Sequence, residues 1–399
     1  MAKKSEVLVL SAVRTAIGKY GGALKDSPPT DLGATVVRES LKRAAVAPEE
    51  VGHVVFGNVI HTEPKDMYLS RVVAVKAGVP FETPALTVNR LCGSGLQAIV
   101  SAAQMIQLGD AQVAVAGGAE CMSRGQYWIG NLRWGQRMNN AAVVDAMVGA
   151  LTDPFDDVHM GVTAENIAKK WGISREDQDA LAVESHRRAL DAIKHCVFKG
   201  QIVPIELKTK TGTIAFDTDE QPRADTTLEA LAKMKPAFDR NGTVTAGNAS
   251  GINDGAACVV LMDGNAARER GLKPIARLVD YALVGVDPKY MGIGPVPAVQ
   301  KLLSQTGMKL DDIDVFEVNE AFAAQALAVA RDLGLPMDKT NPNGSGIGMG
   351  HPVGATGAIL TVKAIHELHR IGRRYGLVTM CIGGGQGIAA IFERMDNQQ

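Results

Sequence analysis

Cys92 lies in a sequence context that favours covalent chemistry. It occurs in TVNRLCGSGLQAIV, where a strand-like run gives way to glycines and then to a helix-like run. A thiol at the start of a helix faces unpaired backbone N–H groups and the positive end of the helix dipole, and both favour the thiolate. The context therefore predicts a nucleophile, with a buried cysteine that acts as a small apolar residue as the alternative.

His351 lies in a second glycine-rich segment, NGSGIGMGHPVGATG. So many glycines indicate that the backbone approaches another group closely or adopts positive φ angles. A histidine in such a turn could remove the proton of a cysteine thiol, which is the usual way to activate that nucleophile. The alternative is a tight turn between packed elements in which the histidine is only a cap.

Two further segments end strand-like runs with residues that could stabilise an oxyanion. Cys381 occurs in TMCIGGGQG, and the three glycines after it would let backbone N–H groups approach a ligand. Asn319 occurs in EVNEAFAAQ and could orient a water or donate to an oxyanion. A core cysteine and a helix cap are the respective alternatives.

Residues 93–98, GSGLQA, also match the GxGxxA pattern of dinucleotide-binding turns. The match is weak, because Asp110 and Glu120 are the candidates for the acidic residue that such folds place about 20 positions further on. A nicotinamide-dependent oxidoreductase is therefore an alternative function from another class.

The elements that would position these residues alternate between strands and helices. Strands are predicted at 6–13, 53–59 and 112–120, and helices at 31–46 and 96–109. This alternation is typical of an α/β protein, and we expect mainly parallel strand pairing.

The C-terminal part of the chain repeats this pattern. VAPEEVGHVVFGNVI (46–60) resembles MKLDDIDVFEVNEAF (308–322), and His351, like Cys92, precedes a helix (357–370) and a strand (376–385). We therefore expect two similar halves, 1–120 and 271–399. Residues 121–270 would be inserted between them, with ends that rejoin the N-terminal half and an internal helix at 171–193.

Composition excludes several classes of function. The chain has 399 residues, with Lys+Arg 42, Asp+Glu 43 and a net charge of −1, so nothing drives it overall towards nucleic acid or anionic membranes. The five cysteines include no CxxC pair, which indicates free thiols and neither a disulfide framework nor a metal site. No apolar run approaches the roughly 18 residues of a membrane-spanning helix. We expect a cytoplasmic protein without membrane, nucleic-acid or metal partners.

Six motifs together resemble those of the thiolase family, in family order and across essentially the whole chain. They are VNRLCGSG, GGAECMS, NASGINDGAA, VNEAFAAQ, GHPVGATG and CIGGG. The resemblance is strongest to the short-chain biosynthetic branch, acetyl-CoA acetyltransferase or β-ketothiolase. It implies an α/β fold with a duplicated, five-layered α-β-α-β-α core and an inserted loop domain. The implied reaction is the reversible condensation of two acetyl-CoA to acetoacetyl-CoA and CoA, with a degradative 3-ketoacyl-CoA thiolase of broader chain length as the alternative.

The same resemblance implies a role for each candidate catalytic residue. Cys92 would carry the acyl group and His351 would activate it. Cys381 would remove the α-proton of the second acetyl-CoA, and Asn319 would hold a water that binds the enolate oxygen together with His351. The backbone N–H groups of Cys92 and Gly383 would bind the oxygen of the acyl-enzyme carbonyl.

The resemblance also implies a channel for coenzyme A, which would be a substrate and not a tightly bound cofactor. Arg223 would lie towards the nucleotide, and Ser250, Ala249 and Ala246 along the pantetheine arm. The remaining tunnel residues would be Leu151, His159, Met160, Phe238 and Phe322. A methionine-rich pocket formed by Met160, Met291 and Met349 would accept slightly longer 3-ketoacyl chains, because methionine adapts to varied shapes. Residues 121–150 correspond to a region through which family dimers associate, so we expect a homotetramer.

Overall fold

A computed structural model describes residues 5–210 and 212–395. Its strands are β1 (Val7–Arg14), β2 (Gly18–Lys19), β3 (His53–Gly57), β4 (Ala85–Val88), β5 (Val113–Cys121), β6 (Tyr127–Ile129), β7 (Val143–Asp145), β8 (Ile205–Thr209), β9 (Gly212–Phe216), β10 (Asn253–Asp263), β11 (Ala276–Gly285), β12 (Val315–Val318), β13 (Tyr375–Ile382) and β14 (Gln386–Arg394). Its helices are α1 (Pro29–Ala44), α2 (Leu69–Ala77), α3 (Ser94–Leu108), α4 (Ala146–Ala150), α5 (Met160–Trp171), α6 (Arg175–Lys194), α7 (Leu228–Ala232), α8 (Gly264–Glu269), α9 (Pro295–Thr306), α10 (Ala323–Leu333), α11 (Gly346–Met349) and α12 (Thr356–Ile371).

The central sheet consists of two halves with the same strand order. It runs β12-β13-β14-β11-β1-β10-β5-β3-β4, and β2 pairs with β10. In chain order, the four core strands are β1, β3, β5 and β10 in the N-terminal half and β11, β12, β13 and β14 in the C-terminal half, and β4 is an additional edge strand. From the centre outwards, each half has its first, fourth, third and second core strand, in that order. The two halves meet where β1 and β11 pair over a short stretch. The predicted repeat therefore corresponds to two structurally equivalent units.

The expectation of mainly parallel pairing is wrong. In both halves the fourth strand lies between the first and the third and runs antiparallel to each, as β10 does beside β1 and β5. Parallel pairing is confined to β3 with β4 and β5, and to β12 with β13. Strands buried on both faces have continuous apolar sequences whichever way they pair, so the sequence pattern could not distinguish the two arrangements.

Helices and the two half-sheets form five layers. α3 and α12 contact each other and strands of both halves, so they form the middle layer. α1 packs on β1, β5 and β10 on one outer side, and α9 packs on β11, β13 and β14 on the other. The predicted α/β class and layered core are confirmed.

Glycines let the two middle helices approach closely at their N-termini. A Cβ on Gly95 of α3 would lie 2.7 Å from the backbone nitrogen of Ala358, and one on Gly357 of α12 would lie 2.3 Å from that of Leu96. These contacts bring the segments that carry Cys92 and His351 next to each other. They also place α12 directly beside the GSGLQA segment.

The region between the two halves contributes to the sheet and also packs over it. β10 lies within residues 121–270 and pairs with β1 and β5. The buried Arg14 binds Asp219 with Nη1 2.7 Å from Oδ1, and this ion pair ties the inserted region to the end of β1. The helix expected at 171–193 begins later, at Arg175, because α5 ends at Trp171 and Gly172 turns the chain with a φ of 61°. Within the described ranges, no helix is long and apolar enough to cross a membrane.

Candidate active site

A cavity of about 440 Å³ lies where the two halves and the inserted region meet. Cys92, His351 and Gly383 line it. So do ten of the eleven residues expected to contact coenzyme A or the acyl chain, namely Leu151, His159, Met160, Arg223, Phe238, Ala246, Ala249, Ser250, Met291 and Phe322. Cys381 and Asn319 lie behind this lining, in contact with residues that form it.

Cys92 is held in a tight turn between β4 and α3. Leu91 has a φ of 44°, and the Ser94 hydroxyl accepts a hydrogen bond from the Arg90 N–H at 2.8 Å and donates one to the Leu91 carbonyl at 2.6 Å. A Cβ on Gly93 would lie 2.6 Å from Ile382, so this turn packs directly on the end of β13.

The Cys92 thiol is protonated at neutral pH. Burial raises its pKa to about 11, although the backbone N–H groups of Gly383 and of Cys92 itself bind the sulfur and lower the pKa. The helix N-terminus therefore does not by itself make the thiolate the stable form, contrary to the expectation from the sequence. A base is needed to take the proton.

His351 is fixed at its backbone and at one ring nitrogen. Its N–H donates to Asn253 Oδ1 at 2.9 Å, and its Nδ1 lies 2.7 Å from Thr356 Oγ1. Gly350 permits the first contact, because it has a φ of 104° and a Cβ there would overlap the Asn253 amide. Burial lowers the pKa of His351 to about 4, so the ring is neutral at pH 7 and has a lone pair to accept a proton.

Asn319 follows β12 and faces the other ring nitrogen of His351. Its Nδ2 lies 3.4 Å from His351 Nε2. The neighbouring Glu320 accepts hydrogen bonds from the Ser185 hydroxyl and from Asn341 Nδ2, and these contacts connect the Asn319 segment to α6 and to the segment before α11.

Cys381 lies in β13, two positions before the triple glycine, and is fully buried. It packs in an apolar cluster that also contains Met160, Met291, Ala321 and Phe322. Burial strongly raises the pKa of its thiol, and negative charge on Cys92 raises it further. The turn that carries Cys92 packs on Ile382, the residue after Cys381, so the two cysteines lie on adjacent segments.

The rest of the cavity is an apolar channel whose lining includes the cationic side chain of Arg223. The His159 ring stacks on Phe238 at a centroid distance of 4.6 Å, and its Nδ1 accepts the Gly161 N–H at 3.0 Å. The Ser250 N–H donates to the Ala321 carbonyl at 2.9 Å, which holds the small-residue segment against the segment that carries Phe322. Arg223 adds a positive charge to the lining.

Two features of the site differ from the expectations drawn from the sequence. Met349 is buried in the main core and does not line the cavity, whereas Met122 lines it with Met160 and Met291. The sequence pattern does not distinguish Asn253 and Thr356, which contact His351 directly, although both lie in the quoted motifs. Within the described ranges, no group of three His, Cys, Asp or Glu side chains could hold a metal ion.

The chain belongs to the thiolase family. Residues 7–265 match the family's "Thiolase, N-terminal domain" and residues 272–394 its "Thiolase, C-terminal domain". These matches confirm the resemblance that the six motifs indicated. They contradict the alternative of a nicotinamide-dependent oxidoreductase.

Relatives of known name cover nearly the whole chain. The chain is 64% identical over 391 residues to "Beta-ketothiolase BktB" of Cupriavidus necator, and the alignment covers 98% of this chain and 99% of the relative. It is 48% identical to an acetyl-CoA acetyltransferase of Syntrophomonas wolfei over 98% of this chain and 99% of the relative.

Solved thiolase structures have the same fold as this chain over nearly its whole length. The acetyl-CoA acetyltransferase of Bacillus anthracis superposes with a TM-score of 0.97 at 47% identity, over 99% of this chain and 100% of that one. Human mitochondrial 3-ketoacyl-CoA thiolase in complex with CoA superposes with a TM-score of 0.95 at 44% identity, over 98% of each chain.

Proposed function

We propose that this thiolase is an acetyl-CoA C-acetyltransferase that condenses two acetyl-CoA to acetoacetyl-CoA and CoA, and that it also catalyses the reverse thiolysis. The observation that carries this proposal is the convergence of Cys92, His351, Cys381 and Asn319 around one channel. A nucleophile, its base and a second proton-transfer group are what a two-stage acyl transfer requires.

In the first stage, Cys92 takes the acetyl group from acetyl-CoA. His351 Nε2 accepts the thiol proton, the sulfur attacks the thioester carbonyl, and the bond to the CoA sulfur breaks. The CoA thiolate leaves with the proton of Cys381. The products are acetyl-Cys92, free CoA, an imidazolium at His351 and a thiolate at Cys381.

In the second stage, the Cys381 thiolate removes an α-proton from a second acetyl-CoA. The enolate oxygen is stabilised by His351 Nε2–H and by a water held on Asn319. The enolate carbon attacks the acetyl carbonyl, the carbon–carbon bond forms, and the bond to the Cys92 sulfur breaks. His351 returns its proton to Cys92, so both thiols and the neutral imidazole are restored.

The backbone around Cys92 supports the assignment of an oxyanion hole. The N–H groups of Gly383 and Cys92 both bind the Cys92 sulfur, so they lie beside the carbon that an acyl group there would add. Preorganised N–H groups of this kind stabilise the negative oxygen of a tetrahedral intermediate. Gly383 would thus act through its backbone.

The channel fits the long, thin arm of coenzyme A. Its walls combine apolar rings with the small residues Ala246, Ala249 and Ser250, and Arg223 supplies a positive charge for a phosphate. The human relative whose structure contains CoA has the same fold over almost the full chain.

We also propose that the enzyme accepts 3-ketoacyl chains slightly longer than acetoacetyl. Met122, Met160 and Met291 line the cavity, and flexible thioethers can move to admit one more methylene. Thiolysis of C4 and C5 3-ketoacyl-CoA should both be measurable, and activity on C4 with none on C5 would contradict this part of the proposal.

Steady-state kinetics test the main proposal. With acetoacetyl-CoA and CoA as substrates, double-reciprocal plots should be parallel, because one product leaves before the second substrate binds. The Cys196→Ser variant is the control, since this cysteine is exposed and does not line the cavity, and it should keep full activity. No turnover of acetyl-CoA or acetoacetyl-CoA by the intact protein would overturn the proposed activity.

A tetramer is the assembly that we propose. The hairpin of β6 and β7 and its loop expose large apolar side chains, namely Tyr127, Trp128, Ile129, Leu132, Trp134, Met138, Val143 and Val144. Apolar surface of this extent favours association with another subunit. Light scattering at several concentrations should give the mass of four chains, and replacing Trp134 by Glu should lower it.

A further inference from the structure

We infer that Thr356 is a positioning residue that fixes the neutral His351 ring with its proton on Nδ1, and so keeps Nε2 free to accept the Cys92 proton. This role rests on the proposed function, because it refines how the base of that reaction works. Thr356 does not line the cavity, so it acts through the histidine and not on the substrate.

The groups around the ring determine where its proton lies. Asn319 Nδ2 lies 3.4 Å from Nε2 and can donate to that nitrogen when it is unprotonated. A neutral imidazole has one N–H, and this contact favours its position on Nδ1. The neighbour of Nδ1 is Thr356 Oγ1 at 2.7 Å.

The Thr356 hydroxyl oxygen can accept a hydrogen bond from Nδ1–H because its own hydrogen is donated elsewhere. Oγ1 lies 2.9 Å from the carbonyl oxygen of Pro352, one helical turn earlier, and donates to it. Its lone pairs therefore face His351. Both ring nitrogens have neighbours that favour the same tautomer.

The fold leaves this hydroxyl little freedom. Thr356 is the first residue of α12, is 2% exposed, and precedes Gly357, which packs on Leu96 of α3. The His351 backbone is fixed separately by Asn253. His351 is thus held at its backbone by Asn253 of β10 and at Nδ1 by Thr356 of α12.

This arrangement suits both stages of the proposed reaction. While His351 is neutral, Nε2 accepts the thiol proton. Once protonated, Nε2–H donates to the enolate oxygen, and the Nδ1–H bond to Thr356 is the same in both states. Without an acceptor at position 356, a buried N–H would lose its partner, and the ring would gain by moving its proton to Nε2.

The first measurement is the tautomer of His351 in the wild-type protein. Solid-state ¹⁵N NMR of the histidine-labelled full-length chain distinguishes protonated from unprotonated ring nitrogens, and the His351→Asn variant identifies the signal among the eight histidines. We expect a protonated Nδ1 and an unprotonated Nε2. A protonated Nε2 in the resting enzyme would overturn the inference, whatever the kinetics show.

The second measurement compares variants at position 356. Thr356→Val keeps the shape but removes the acceptor, and we expect the rate of Cys92 acetylation to fall by roughly tenfold to a hundredfold, the effect of an unpartnered buried N–H. The His351 ¹⁵N signals should change as well, and KM for CoA should stay within about twofold because the channel is untouched. Thr356→Ser keeps the hydroxyl and should restore both the rate and the spectrum.

Thr361→Val is the matched control. Thr361 is buried in the same helix, and its hydroxyl donates to the Gly357 carbonyl at 2.8 Å, which is the same kind of bond that Thr356 makes to Pro352. It does not contact His351. An equal loss of acetylation in Thr361→Val, or an unchanged rate and spectrum in Thr356→Val, would contradict the role of Thr356. Failure of the wild-type protein to form any acyl-enzyme would instead contradict the proposed function.

Discussion

The two halves of the molecule place different side chains at equivalent positions. β3 is followed by Asn58 and β12 by Asn319, and in both cases the preceding residue pairs with the third strand, Gly57 with Gly118 and Val318 with Thr379. Asn58 donates to the Ala119 carbonyl and to Glu120 within its own half. Asn319 instead faces His351 Nε2.

The same register makes Glu120 of β5 the counterpart of Cys381 of β13. Glu120 lies two residues after Gly118, and Cys381 lies two residues after Thr379. Glu120 is fully buried and accepts the backbone N–H groups of Val59, Ile60 and Gly354. It therefore connects the segment after β3 to the turn after His351. Cys381 lies beside the channel in an apolar cluster.

Under the proposed function, one scaffold serves stability in one half and chemistry in the other. In the N-terminal half, the polar groups at the strand ends are bound by the protein itself. In the C-terminal half, Asn319 faces His351 and Cys381 lies beside the channel, and the proposed reaction uses both.

Replacing Cys381 by Ala should abolish condensation and leave acetylation of Cys92 detectable. The variant lacks the group that removes the α-proton, and loss of a general base costs about 10²- to 10⁴-fold in rate. Turnover of acetyl-CoA to acetoacetyl-CoA and the mass of the Cys92 peptide are the two measurements. Full condensation activity in this variant would remove Cys381 from the mechanism.

Asn319→Ala and Asn58→Ala should affect different properties. Asn319→Ala should lower kcat by about 10²-fold, the cost of losing one oxyanion contact, with little change in thermal stability. Asn58→Ala should lower the melting temperature, because Glu120 and the Ala119 carbonyl lose a donor. Equal effects of the two variants on kcat would contradict the division between the halves.

The pH dependence of Cys92 alkylation should follow a thiol of raised pKa. With a pKa of about 11, the thiolate fraction rises about tenfold per pH unit, so labelling of Cys92 by iodoacetamide should accelerate continuously from pH 7 to pH 10. Peptide mass analysis separates this label from those on other cysteines. A plateau near neutral pH would instead indicate a preformed thiolate–imidazolium pair.

Glu120→Gln should reduce stability by about 1–3 kcal/mol in the free energy of unfolding. One of its oxygens becomes an NH₂ group, which cannot accept the backbone N–H groups that point at it. Chemical denaturation measures the change, and Glu49→Gln, at an exposed position, is the control. A stability equal to that of the control would mean that Glu120 does not hold the two segments together.

Much of this organisation could be predicted from the sequence. Apolar runs and glycines located the main strands and helices, and the repeated strand–asparagine pattern indicated the two halves. The motifs around Cys92, His351, Asn319 and Cys381 also contain the residues that the structure brings together. Local patterns carry this information because each motif combines a strand end, a tight turn and a reactive side chain.

Other features depend on contacts between distant segments and had no local signal. The antiparallel position of β10 between β1 and β5 follows from the path of the chain, and apolar content does not encode it. Asn253 contacts His351 across 98 positions of sequence. The burial of Cys92, which outweighs the effect of the helix N-terminus on its pKa, likewise arises from the packing of both halves around one turn.

The most direct test of the central claim is to incubate the protein with acetyl-CoA alone, quench in acid and measure the mass of the intact chain and its peptides. We predict one acetyl group on the peptide that contains Cys92, removable by free CoA and absent from the Cys92→Ala variant. An unmodified Cys92 peptide in protein with intact thiols, or an acetyl group on another residue, would contradict the assignment of Cys92 as the acyl carrier.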